Sequence, residues 1–280
     1  MAEWKRWMGA LFSRRVVLWA AFTLLAMLLA AVVGPLMMGA DGSTLNVTQR
    51  LQGPGAGHWM GTDELGRDVM ARAFEAGRYS LAIGAATAVL AALAGGLLGL
   101  LAGFFTKLDA VLMRLVDAMM SFPDILLGIA LVSILGASPV NVVLALAIVY
   151  TPRVARVVRA STLVIREQPY IEAARAVGIP LPRMLWVHVV PNLLSPALVQ
   201  LTFIFANALL AEAALSFLGV GVGAEVATWG SMLSGATQYA DQAIWLLMFP
   251  GLAIVLCALS LQLLGDGVRD LMDPRLRGQS

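Results

Sequence analysis

The sequence predicts an all-α, polytopic membrane protein with about six transmembrane helices. Three observations carry this. Hydrophobic residues make up 60% of the 280 and charged residues only 13%, about half the charged share of an ordinary soluble domain. Uncharged apolar runs recur at close to the roughly 20 residues that a helix needs to cross a bilayer core. Lysine and arginine are concentrated in alternate connections, the pattern of a chain threaded repeatedly through a membrane.

The first run covers residues 16–38 and carries no charge. It exceeds the roughly 7–15 apolar residues of a signal peptide, so it reads as a retained span. Before it, Trp4, Trp7 and Leu11 share one helical face with Lys5 and Arg6 off it, which predicts a short interfacial arm over 1–15. The second run lies within 79–105. The third, 113–135, is interrupted by Asp124, which reads as a helix-start residue after Phe122-Pro123. "GASP", Gly136 to Pro139, makes a tight turn into the fourth, which starts at Val140 and must continue past Pro152 through Val158. Arg153, Arg156 and Arg159 then snorkel to the headgroups. The fifth is 193–218, with Glu212 inside it, and the sixth is 243–264. The organisation is one transmembrane domain over 16–265 with a tail over 266–280.

Fifteen of the 19 lysines and arginines fall in the N-terminal arm, the connection after the second helix, the segment after the fourth, and the tail. The positive-inside bias therefore places both termini in the cytoplasm. Net charge is +2, too small for a nucleic-acid footprint. The single Cys257 excludes an internal disulfide and reads as packing. His58 and His188 are too far apart for a metal cluster, and the acids of "GTDELGRD" alternate with Arg67 and Arg72 instead of matching a calcium loop. That segment reads as a self-paired external loop suited to meeting a binding protein. The Lys- and Arg-free loop 219–242, with Trp229 and Tyr239, either packs near an outer gate or supplies an aromatic belt.

The segment from about 160 to 192 breaks the apolar pattern on the cytoplasmic side. Pro169 suits a first helical turn, "IEAARAV" is rich in helix formers, and Gly178 is a natural stop. "IPLP" redirects the chain, and 183–190 forms a second short helix before Pro191. Ala174 and Gly178 share a face at i, i+4, where another backbone can approach closely. No G-x-x-x-x-G-K-[ST] phosphate loop occurs, and the only lysines are Lys5 and Lys107. No hydrolase motif occurs either. The chain therefore reads as non-catalytic and binds no cofactor of its own. Within the spans, a charged Glu212 at mid-bilayer would cost roughly 2.5–3.5 kcal/mol, so it must face protein or water. Ser216 shares its face at i, i+4, and Gln200 and Asn207 share another. These four are candidates for the translocation path; a structural hydrogen bond or an outer-end position is the other role open to Glu212.

Glu172-Ala173-Ala174, Gly178, Ile179 and Leu181-Pro182 resemble the EAA loop of ABC importer permease subunits. "HWMGTDELGRDVMAR" from His58, "SFPDILLGIALV" from Ser121, "AEAALSFLGVG" from Ala211, "TWGSML" from Thr228 and "LLGDGVRDLMDPRLR" from Leu263 are similar to the dipeptide/oligopeptide/nickel branch of that family. The resemblance implies a type I importer permease fold in a bacterial plasma (inner) membrane. It implies that Glu172, Ala173, Ala174, Arg175, Gly178 and Pro182 dock on an ATP-binding subunit. It also implies a homologous second permease, two ATPase subunits that bind ATP and Mg²⁺, and an extracytoplasmic solute-binding protein. The solute would be a dipeptide, oligopeptide, nickel chelate, glutathione or opine. An ion-driven secondary transporter would need an inverted repeat or several midplane carboxylates, and neither is visible. A non-transporting membrane scaffold is the other alternative, and it predicts that changes at Glu172 or Gly178 leave uptake intact.

Overall fold

The computed structural model describes residues 15–38, 44–223 and 225–272. The predicted interfacial arm, apart from Arg15, and the tail beyond Met272 lie outside the described residues. Nine helices are described: α1 (Arg15–Met38), α2 (Val69–Phe104), α3 (Thr106–Met120), α4 (Asp124–Leu135), α5 (Pro139–Arg166), α6 (Pro169–Ala176), α7 (Leu181–Phe217), α8 (Trp229–Ala236) and α9 (Trp245–Met272). Five of them (α1, α2, α5, α7 and α9) are long and apolar enough to cross a membrane, and α3 with α4, bent by 92°, brings the number to six where the pair counts as one broken span and not as a re-entrant loop. The protein is an all-α, multi-pass membrane protein.

The break in the third span falls at Ser121-Phe122-Pro123. Proline disfavours helical geometry in the residue before it, so one predicted span over 113–135 becomes two helices. The arginines expected to snorkel are instead paired. Arg153 meets Asp124 of α4, Arg156 meets Asp117 of α3 at 2.7 Å, and Arg159 meets Asp109 of α3 at 2.5 Å. Three guanidinium groups at i, i+3, i+6 on α5 thus brace both halves of the bent pair. Sequence reading assigned them to lipid headgroups because it matched them to no acid outside their own helix.

The other spans differ from expectation mainly at their ends. α2 begins at Val69, well before 79, because the Asp68 carboxylate accepts from Ala71 N–H at 3.0 Å and caps the helix. Arg72, Glu75 and Arg78 then ride on a helical extension that hydropathy alone assigns to a loop. At 36 residues α2 is about 54 Å long, well beyond the roughly 30 Å apolar core. The separate helix expected over 183–190 is absent. Helix continues from Leu181 into the span through a wide π-turn at Leu185–Val189, closed by Val190 N–H on the Leu185 carbonyl. A widened turn lets a helix run on through Pro191 where a regular one would stop.

α2 and α5 form the most extensive helix pair, and the reason is three glycines one turn apart. A Cβ at Gly95 would lie 2.5 Å from Val154, one at Gly99 2.5 Å from the Ala155 carbonyl, and one at Gly103 2.6 Å from Thr162. Without side chains there, the two backbones close to contact, the arrangement that drives helix association in lipid. α7 packs across this pair, and α1 and α9 pack together beside α2 and α7. At the end opposite α6, α8 tucks Trp229 inward (3% exposed), its Nε1–H donating to the Ala73 carbonyl at 3.0 Å. Trp229 is therefore core, not a residue of an interfacial belt.

Candidate functional site

α6 sits between two helices that outrun the bilayer. α5, at 28 residues, is about 42 Å long and α7, at 37, about 55 Å. Both are longer than the roughly 30 Å apolar core, which leaves length for α6 to stand beyond it. Pro169 occupies the first helical position, where its missing N–H costs nothing. The helix ends at a Schellman motif: Ile179 N–H donates to the Ala174 carbonyl and Gly178 N–H to the Arg175 carbonyl, both at 3.0 Å. Gly178 has φ +78°, a conformation open to glycine and strained for other residues. Among the described residues, and leaving aside its two chain neighbours, no atom lies within 4 Å of where its Cβ would stand.

One face of α6 is anchored inward. Ile171 is fully buried and Ala174 is 7% exposed, packed with Met184, Val189 and Leu193. The opposite face is open: Glu172, Ala173, Arg175, Gly178 and Pro182 are all exposed. Of the six candidate docking residues, Ala174 is thus the one turned into the protein, where its small side chain lets α6 settle close to the bundle. Tyr170, Ala173 and Val177 add an exposed stripe at i, i+3, i+7, with Val177 81% exposed. Exposed apolar surface outside the bilayer marks an interaction site. The i, i+3, i+7 spacing of Tyr170, Ala173 and Val177 stands in the sequence, but which face of α6 is open does not, so Tyr170 and Val177 were not among the sequence candidates.

The four path candidates do not converge. Glu212 is fully buried between α2 and α7, accepting from Ser216 Oγ at 2.8 Å and Ser80 Oγ at 3.3 Å. Ser80 Oγ in turn accepts from Trp229 N–H at 3.1 Å. This is a structural network joining α2, α7 and α8. Asn207 donates to the Phe203 carbonyl at 2.8 Å, and its own carbonyl accepts from Tyr150 O–H at 3.2 Å. Gln200 and Ser216 each line an open space, but different ones: Gln200 borders a cavity of about 440 Å³ shared with Ser195, Phe203 and Arg269, and Ser216 borders another at the opposite end.

The end opposite α6 holds a second cavity of about 410 Å³, whose walls include Asp63, Arg67, Arg72, Ser216, Gly221 and Ser234. Asp63 organises it. Its carboxylate accepts from Leu65 and Arg67 N–H at 2.9 Å, from Arg67 Nε at 2.7 Å and from Arg72 at 2.6 Å. Burial pushes its pKa up, but the hydrogen bonds from the Arg67 N–H, the Arg72 guanidinium, the Leu65 N–H and the Arg67 guanidinium outweigh that and hold it below 3.8. His58 Nδ1 lies 2.8 Å from Asp68, so the loop is self-paired as its alternating signs predicted.

Residues 95–278 match the family of binding-protein-dependent transport system inner membrane components. The chain belongs to this family. It is a permease subunit of an ABC importer, and its multi-pass helical fold is that of such a subunit. The chain is 45% identical over 254 residues to a putative peptide transport system permease of Brucella suis, covering 91% of this chain and 86% of the relative. It is 38% identical to the dipeptide transport system permease DppC of Alkalihalophilus pseudofirmus, covering 99% and 91%. It is 37% identical to the glutathione transport system permease GsiD of Pectobacterium atrosepticum, covering 98% and 92%. A permease of this family works with ATPase and binding-protein partners.

Proposed function

We propose that this permease forms one half of the translocation path for peptides or related small solutes, and that α6 is the contact through which partner ATPases drive it. The single observation that carries this is the split of α6: Ile171 and Ala174 anchor it inward while Glu172, Ala173 and the Tyr170–Val177 stripe stand exposed. Small residues allow close docking and the charges at Glu172 and Arg175 fix register. ATP and Mg²⁺ belong to two partner ATPase subunits, and this chain carries no catalytic step. A second, homologous permease completes the path, and a solute-binding protein delivers the solute at the end opposite α6. α6 and both termini then lie in the cytoplasm of a bacterial inner membrane. The peptide class is supported by the names of the relatives, which also include a glutathione permease.

Gly178 gives a clean test because, its chain neighbours aside, no described residue comes within 4 Å of its Cβ position. Gly178→Ala and Gly178→Trp carry the same backbone strain, and only tryptophan adds bulk. With the complex purified through this subunit, the alanine variant should retain the ATPases. The tryptophan variant should lose them by more than about tenfold, the scale of a blocked interface centre. Equal ATPase recovery from both variants would exclude α6 as the docking site.

A further inference from the structure

The effect of force applied to α6 depends on what α6 is tied to. Its chain neighbours are α5 and α7, and the structure adds a third attachment. The guanidinium of Arg175, in the last turn of α6, lies over the Phe104 ring at 5.6 Å from its centroid. Arg166, the last residue of α5, donates to the Gly103 carbonyl at 2.9 Å. Gly103 and Phe104 are the last two residues of α2.

Each contact has a physical reason. The Gly103 carbonyl is among the last four of its helix, which have no intrahelical donor. A guanidinium both satisfies it and complements the negative end of a long helix. Phe104 is steadied edge-to-face by Phe105, with ring centroids 5.5 Å apart and planes at 69°, and it offers its π-face to a cation. Arg175 takes that ring although Glu172 is only three residues away on the same helix. α2 is also the helix zipped to α5 through Gly95, Gly99 and Gly103, and it runs on to the loop around Asp63 at the far end.

We propose that Arg175 on Phe104, seconded by Arg166 on Gly103, clamps the ATPase-docking helix to the end of α2. Movement of α6 then reaches α2 directly, and α2 and α5 respond as one body. Arg175 is accordingly a positioning residue as well as part of the docking rim. The inference rests on the reading of α6 as the motor contact.

The test follows α2 itself. Spin labels at Leu97→Cys on α2 and Leu259→Cys on α9, both on exposed side chains, are placed in a Cys257→Ala background of the complete complex with its ATPases. Their distance is measured before and after trapping with ATP and vanadate. In the parent complex trapping shifts the distance. Phe104→Leu keeps the apolar bulk but removes the π-face, and the ratio of shifted to unshifted complexes should fall about two- to five-fold, the ratio expected from an exposed cation–π contact. Phe104→Trp should restore it. Arg175→Gln should cost less in the Phe104→Leu background than in the parent, since coupled residues are not additive. ATPase recovery should be unchanged in Phe104→Leu. No shift in the parent, equal losses for leucine and tryptophan, additive effects, or loss of the ATPases from Phe104→Leu would each overturn the clamp. The docking reading is scored separately by thiol cross-linking from Ala173→Cys to the ATPase. A cross-link with no Phe104 effect removes the clamp alone; no cross-link removes both.

Discussion

Gly99→Leu separates α2 from α5 and destabilises the protein by about 3 kcal/mol or more, at or above the upper end for overpacking. A Cβ at Gly99 already falls 2.5 Å from the Ala155 carbonyl, 2.8 Å from Val158 Cβ and 2.9 Å from Arg159 N. Two of these three neighbours are backbone atoms of α5, which no rotamer change can move aside. Relief requires the helix axes to part, and that also opens the contacts at Gly95 and Gly103 on the same stripe. Loss of glycine flexibility works in the other direction, favouring a side-chain-bearing residue in a helix interior by up to about 1 kcal/mol, too little to compensate. Gly96 is the internal control. It lies in the same helix, yet nothing stands within 4 Å of its Cβ position. Gly96→Leu should therefore be neutral or mildly stabilising. Thermal unfolding of the two variants in the same detergent decides the matter: equal stability would show that the glycine stripe does not hold the pair together.

That stripe shows what was and was not legible in the chain. Apolar runs near 20 residues located the five long helices, and Gly178 was read correctly as the stop of α6, because each is a local property. Which face of α2 meets α5 is not local. Of the adjacent glycines Gly95 and Gly96, one is pressed on Val154 and the other faces open space, and nothing in the order of residues separates them. The same limit explains the arginines of α5, whose partners Asp109, Asp117 and Asp124 come from two other helices. Pro123 and Pro191 stand in the sequence as similar breakers, yet one marks a 92° bend and the other is absorbed by a π-turn. For α6 the sequence placed the helix and named residues on both of its faces. The division into an anchored and an open side needed Ile171 to be seen in the core. Glu212 was legible as a group needing partners, but Ser80, far away on α2, could be supplied only by the fold.

Asp63→Ala destabilises the loop opposite α6 by about 3–5 kcal/mol, the range for removing one partner from a buried charge cluster. The size follows from what stays behind. Asp63 is 3% exposed, and the Arg67 and Arg72 side chains around it are only 18% and 17% exposed. Deleting the carboxylate leaves the Arg72 guanidinium and two backbone N–H groups without this acceptor, while Arg67 keeps only Glu64 at 3.2 Å. Asp63→Asn keeps one acceptor oxygen and loses the charge, so it should fall between alanine and the parent. The effect spreads because the loop is fastened to the helices beside it: the Thr62 carbonyl accepts from Trp245 Nε1 at 3.2 Å, and Arg50 stacks on Tyr239. The pH dependence has a definite sign. The folded-state pKa of Asp63 lies below 3.8, so its contribution is fully present above the ordinary carboxylate value and disappears as pH falls through the lowered one. Hydrogen exchange across residues 51–68 should therefore show protection that is flat from pH 7 to about 5 and collapses below about 4. In Asp63→Asn, protection should already be low at pH 7 and should lack that step. A step of equal size in both proteins would assign the transition to another group and remove Asp63 from the centre of the loop.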